Sequence, residues 1–176
     1  QRVAAVGRRA AVDLVLNPVP ERYLGPWPAT RPCNIVLSLS RFWAQKEPAL
    51  TIRAFAALLR ETPDARLLWA GDGPLMDDTR ALAAELGVAA SVEFLGPVPD
   101  PLPLLQQASV LVSSSQFEAM PYSILEAMAT GTAIVATDII AHREVDGGSG
   151  ALALVRAEPA PMARRMSSRR PLLMPS

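Results

Sequence analysis

The stretch SVLVSSSQFEAMPYSILEAMATGTAIVAT, residues 109–137, decides the fold. Its ends, 109–113 and 132–137, are short and nearly continuously apolar, the pattern of strands covered on both faces. Between them a polar loop opens into an apolar helical run, and a helical crossover of this kind joins parallel strands. The loop and helix carry Glu118 and Glu126, with seven residues between them. A helix start offers unpaired N–H groups and about half a positive charge, which attracts phosphate, while nearby carboxylates accept hydrogen bonds from sugar hydroxyls. A ligand bearing both groups, a nucleotide sugar, suits this stretch.

Upstream the same rhythm repeats. Apolar strand runs at 34–39, 66–70 and 91–95 alternate with helical patterns at 48–59 and 75–86. Pro48 sits where a missing N–H costs nothing, and Leu50, Ala54, Phe55, Leu58 and Leu59 recur at helical spacing. The expected fold class is α/β, a Rossmann-like parallel sheet with helices on both faces. Residues 12–16 read as a strand or linker, and the proline-rich 17–32 as a stiff tether. The expected division is a linker at 1–33, a ligand-binding domain at 34–157 and a basic tail at 158–176, whose prolines leave its helicity open.

Composition narrows the chemistry. The chain has 176 residues, half of them apolar, enough for one core. Seventeen basic residues balance seventeen acidic ones, which argues against a broad surface for nucleic acid or anionic lipid. The single cysteine, Cys33, leaves no internal disulfide framework and fits a reducing cytoplasmic compartment. No apolar stretch reaches the roughly 18 residues that span a bilayer, and a first residue Gln1 suggests a fragment. His142, the one histidine, reads as a surface-loop residue and leaves no histidine-based metal site. No glycine-flanked serine elbow is present, which disfavours a serine hydrolase.

In open α/β sheets ligands bind beyond the carboxyl ends of the strands, so the loops there hold the candidates. After the first strand Arg41 and Lys46 could face a diphosphate, or be solvated cations. After the second, Gly71-Asp72-Gly73-Pro74 allows close backbone approach to a ligand, or makes a tight strand-to-helix turn. After the third, backbone near Val98 could meet a planar base edge. After the fourth come Glu118, Met120, Pro121, Tyr122 and Ser123. Ser123 and Glu126 also fit a capping box, which would explain Glu126 with no ligand.

Taken together, Asn17-Pro18-Val19, Ser40-Arg41, Gln45-Lys46, Ala70-Gly71-Asp72-Gly73-Pro74, Phe94-Leu95-Gly96 and Glu118 through Glu126 with Ala127-Met128-Ala129-Thr130-Gly131 resemble the C-terminal half of a GT-B glycosyltransferase of retaining family 4, over about residues 17–155. The resemblance implies a donor domain in which Arg41 and Lys46 hold the diphosphate of a UDP-sugar or GDP-sugar. Backbone at Val98 would meet the base, Glu126 the ribose and Glu118 the transferred sugar. Met120, Pro121, Tyr122 and Ser123 would lie against sugar or phosphate. It implies hexosyl transfer to a glycan or lipid-linked acceptor with no metal, no cofactor besides the donor, and no nucleic acid. The partner would be an N-terminal acceptor domain absent from this chain, so that the fragment is inactive alone, with peripheral membrane contact open to the full enzyme. Ser40 and Glu47 stand where the family usually has glycine, and Ala119-Met120-Pro121 replaces a glycine-aromatic-glycine run. The rival reading is a non-catalytic nucleotide-sugar-binding module. A nucleotide-sugar epimerase is weaker, since this half lacks the extra acid and base groups.

Overall fold

The computed structural model describes residues 17–25 and 31–168. Residues 12–16, Pro26, Pro28, Arg169 and Arg170, read above as linker or tail, lie outside them. Six strands, β1 (Ile35–Leu39), β2 (Arg66–Ala70), β3 (Val92–Gly96), β4 (Val110–Ser113), β5 (Ala133–Thr137) and β6 (Leu152–Val155), form one sheet in the order β3-β2-β1-β4-β5-β6. All five neighbouring pairs are parallel. The order reverses between β1 and β4, the topological switch point of a doubly wound sheet.

The helices are α1 (Pro48–Leu59), α2 (Met76–Glu85), α3 (Leu102–Gln107), α4 (Tyr122–Ala129), α5 (Ile140–Asp146) and α6 (Pro159–Ser167). Alternate strand residues feed two cores. Val36, Leu67, Trp69, Val110 and Val112 pack on one face with Phe55 of α1, Ala83 of α2 and Met162 of α6. Leu37, Leu68, Leu111 and Ile134 pack on the other with Leu105 of α3 and Ile124 of α4. Burial on both faces is why the strands read as unbroken apolar runs.

α1 and α2 fall where helical spacing places them, within a residue at the ends of α2. The short α3 and α5 are not announced by periodicity, because six or seven residues hold too few turns to show one. Residues 158–168 depart from the reading as a basic tail. Met162, Ala163 and Met166 bury one stripe of α6 in the first core, while Arg164 and Arg165 stay exposed. Pro159 and Pro161 fall in the first turn, where helical N–H groups have no partner in any case.

The tether also docks. A 3₁₀ turn, Glu21–Leu24, buries Tyr23 in the second core. Arg31 extends its guanidinium to the carbonyls of Leu105 at 3.1 Å, Ala108 at 3.2 Å and Thr130, and to Thr132 Oγ1 at 2.5 Å. Those carbonyls belong to the last turns of α3 and α4, where helix geometry leaves acceptors unpaired and a cation is favoured.

Candidate functional site

A cleft of about 460 Å³ opens at the carboxyl ends of the strands, across the switch point. Ser40, Arg41 and Lys46 reach it from the loop after β1, Gly71 from the loop after β2 and Val98 from the loop after β3. Glu118, Met120, Pro121, Tyr122, Ser123 and Glu126 reach it from the loop after β4 and the start of α4. The fold thus gathers the residues singled out in the sequence, except Gly73, which does not line the cleft.

Gly71 and Gly73 have φ angles of 149° and 146°, and what they approach is protein backbone. A Cβ on Gly71 would stand 2.1 Å from the Ser40 carbonyl oxygen, and one on Gly73 2.6 Å from that of Phe42. The first two loops are laced here: Ser40 N–H donates to Ala70 O at 3.1 Å, Phe42 N–H to Asp72 O at 2.8 Å and Leu75 N–H to Phe42 O at 3.0 Å. Trp69 donates from Nε1 to Ser40 O at 3.1 Å and stacks on Phe42 with centroids 4.6 Å apart. Arg41 therefore projects from a turn pinned on both sides, its guanidinium 5.6 Å from the Trp43 ring centroid.

The loop after β4 is held differently, by side chains. Ser114 Oγ lies 2.7 Å from Thr51 Oγ1 and bonds the carbonyls of Lys46 at 2.6 Å and Glu47 at 3.1 Å. Gln116 N–H donates to Gln45 O at 2.9 Å, and its side chain reaches the Glu47 carboxylate. This packing holds Glu47 at φ 49°, the one left-handed residue other than glycine among those described, at the position where the resemblance calls for glycine. Across the switch point the Lys46 ammonium pairs with Glu118 Oε1, the two side chains only 15% and 10% exposed. Ser115 Oγ donates to the same oxygen at 2.7 Å. An ammonium has three donors, so Lys46 can hold Glu118 and still bind an anion.

The capping box is not formed. Pro121 is the N-cap residue of α4, no side chain caps the helix, and Ser123 is its second residue. With Pro121 extended before Tyr122, Ser123 already belongs to the first turn, two positions past the cap. Glu126 is left to face the cleft. Burial raises the pKa of its carboxyl, opposed by a hydrogen bond from Tyr23 and the charge of Arg22.

His142 is the largest departure from the sequence reading. It is fully buried in α5, rather than lying in a surface loop. Its Nδ1 is 2.7 Å from Thr137 O, while Nε2 is buried without a hydrogen-bond partner among the described residues. Burial depresses its pKa, against the Thr137 bond and the charge of Glu118, and with the charge of Lys46. The sequence does not reveal Tyr23 and Thr137, which bond Glu126 and Ser115 far along the chain, nor Ser115 and His142, whose bonds to Glu118 and Thr137 are short-range but follow no motif. Of the large exposed apolar side chains, Tyr122 at the start of α4 lines the cleft, whereas Phe117 and Ile140 line a separate hollow. Among the described residues no group of three or more His, Cys, Asp and Glu could hold a metal ion, and no helix is long and apolar enough to cross a membrane.

A family model described as Glycosyl transferases group 1 matches residues 33–168. The chain is 38% identical over 117 residues to EpsD of Bacillus subtilis, covering 65% of this chain and 30% of that protein. It is 38% identical over 110 residues to the lipopolysaccharide core biosynthesis glycosyltransferase LpsE of Rhizobium meliloti, covering 62% and 31%. The matched stretch thus spans less than a third of these relatives' own lengths. Among solved structures, TarM of S. aureus in complex with fondaparinux, alpha-GlcNAc-glycerol and UDP superposes with a TM-score of 0.75 at 21% identity, over 83% of this chain and 30% of TarM. HepE of Anabaena in complex with UDP and glucose gives 0.69 at 22%, over 76% of this chain and 38% of HepE. At such identities the superpositions speak for the fold, a GT-B domain. With the family match covering most of its length, the chain belongs to the group 1 glycosyltransferases.

Proposed function

We propose that this chain is the donor-binding half of a retaining glycosyltransferase, passing a hexosyl unit from a UDP-sugar or GDP-sugar to a glycan or lipid-linked acceptor. One observation carries the reading: Arg41, Lys46, Glu118 and Glu126, drawn from the two sides of the switch point, line a single cleft. Relatives solved with UDP support a nucleotide ligand there. Arg41 and Lys46 face the diphosphate, Glu118 the transferred sugar and Glu126 the ribose. The first turn of α4, at Tyr122 and Ser123, supplies N–H groups and its dipole. Negative charge gathers on the diphosphate as the bond to the sugar breaks, and fixed cations stabilise it in a partly dry cleft without reorganising. The reaction in this reading needs no metal.

The reading places the ligand-binding domain at 34–157, the linker at 1–33 and a C-terminal segment at 158–176 whose α6 packs back on the first core, with an acceptor-binding N-terminal domain supplied by the rest of the protein. The isolated chain then binds donor and does not turn over, in the cytoplasm, with peripheral membrane contact made by the whole enzyme. A panel of UDP-, GDP- and ADP-sugars tests it by thermal shift, since a ligand that prefers the folded state must raise Tm. At least one diphosphate sugar should do so, and unchanged melting at saturation across the panel would sink the reading. Adding the N-terminal half of a full-length relative should then restore transfer. Binding without transfer to any acceptor would instead favour the non-catalytic module.

A further inference from the structure

His142 is the only histidine of the chain, and nothing in the proposed chemistry uses it. Its Nδ1 bonds the Thr137 carbonyl at 2.7 Å. A carbonyl only accepts, so Nδ1 carries the proton and Nε2 is left with a lone pair, buried and without a partner among the described residues. From Thr137 a line of hydrogen bonds runs to the cleft. Thr137 Oγ1 donates to the Ser115 carbonyl at 2.5 Å. Ser115 Oγ in turn donates to Glu118 Oε1 at 2.7 Å, the oxygen that Lys46 grips. Ser115, Thr137 and His142 are all buried, so water does not compete for these links.

We propose that His142 is a positioning residue for Glu118, acting through Thr137 and Ser115, and that only its neutral Nδ1–H form holds that carboxylate in place for the donor sugar. The inference rests on the reading that Glu118 meets the sugar. The relay fixes the Ser115 peptide, and with it the direction in which the Ser115 hydroxyl points. An imidazolium would add an Nε2–H with no acceptor, repel Lys46 and attract Glu118, the charged groups that act on it. The Lys46 and Glu118 pairing would then be pulled out of register. Because the folded pKa is depressed below 6.5, the stability His142 contributes is complete above that pH and is lost as pH falls through the folded value.

A lone histidine gives one assignable imidazole, so nuclear magnetic resonance reads its tautomer and titration directly. The expected form at neutral pH is Nδ1–H. Glu118→Gln should lower the titration midpoint and Lys46→Ala should raise it; a midpoint unmoved by both overturns the proposal. The second measurement compares the UDP- or GDP-sugar giving the largest thermal shift with UDP or GDP alone. His142→Phe should reduce the affinity gained from the sugar about tenfold, as expected for one misplaced charged hydrogen bond, with diphosphate affinity changed less than twofold. His142→Asn, which keeps a donor for Thr137 O, should restore the gain and abolish its decline at low pH. Parallel loss of sugar and diphosphate affinity would mean mere structural damage and overturn the proposal. If no nucleotide binds the parent chain, the proposed function fails, while the titration of His142 still decides the relay.

Discussion

The loops after β2 and β4 both look like ligand-binding loops, yet they are built in opposite ways. The first is locked by main chain to main chain, its glycines spent on the approach of Gly71 to Ser40 and Gly73 to Phe42. The second is held by hydroxyls and charges that end in Lys46, Glu118 and Glu126 at the cleft. A glycine-rich turn is therefore scaffold here, and in the proposed function the acid-bearing loop carries the chemistry.

The most severe way to break this contrast is Gly71→Ala. A Cβ set against the Ser40 carbonyl at a φ of 149° should cost about 3 kcal/mol or more in a denaturant melt. A variant that kept normal stability but lost nucleotide would make the glycine a ligand contact after all. Next comes Lys46→Ala, expected to weaken UDP or GDP binding by about 1.5 to 3 kcal/mol while sparing the nucleoside. Equal loss of both by calorimetry would remove Lys46 from the diphosphate.

Glu126→Gln should cost about 1 kcal/mol in nucleotide affinity through the ribose, and it sharpens the comparison through pH. The folded pKa of Glu126 is raised, so the fold holds its proton more tightly than the open chain does. Its contribution to stability is present below the unfolded value of 4.5 and is lost as pH rises through the folded one. The variant should therefore show a shallower fall in Tm over that range, and an identical profile would count against a strained carboxyl. The smallest effect is expected from Glu47→Gly. Relief of the left-handed backbone at φ 49° is offset by glycine's chain entropy and the lost Gln116 contact, a net gain of about 0.5 kcal/mol. A loss of stability there would show that the side chain contacts outweigh the backbone strain.

Much of this was legible beforehand. The strand runs and α1 could be read because burial on two faces, or on one stripe, leaves a local pattern in the residues themselves. The gathering of Arg41, Lys46, Glu118 and Glu126 followed from the rule that strand ends carry ligands. Docking of Tyr23 and Arg31 did not, because prolines describe a stiff backbone and say nothing about which side chains it delivers. Nor did the burial of α6, whose arginines and prolines mask a stripe of three residues, or of His142, which lies in a helix too short to show a period.

The sequence by itself determined a parallel α/β sheet and the stock of charged groups on its loops, since unbroken apolar runs in strands and apolar stripes on helices are local consequences of burial. The tertiary structure alone decided that Lys46 would meet Glu118 across 72 residues, that the glycines would face backbone, and that His142 would be dry. The first two outcomes depend on β1 lying between β2 and β4 and the third on how α5 packs, and such arrangements are properties of the whole chain's packing that no short window of residues contains.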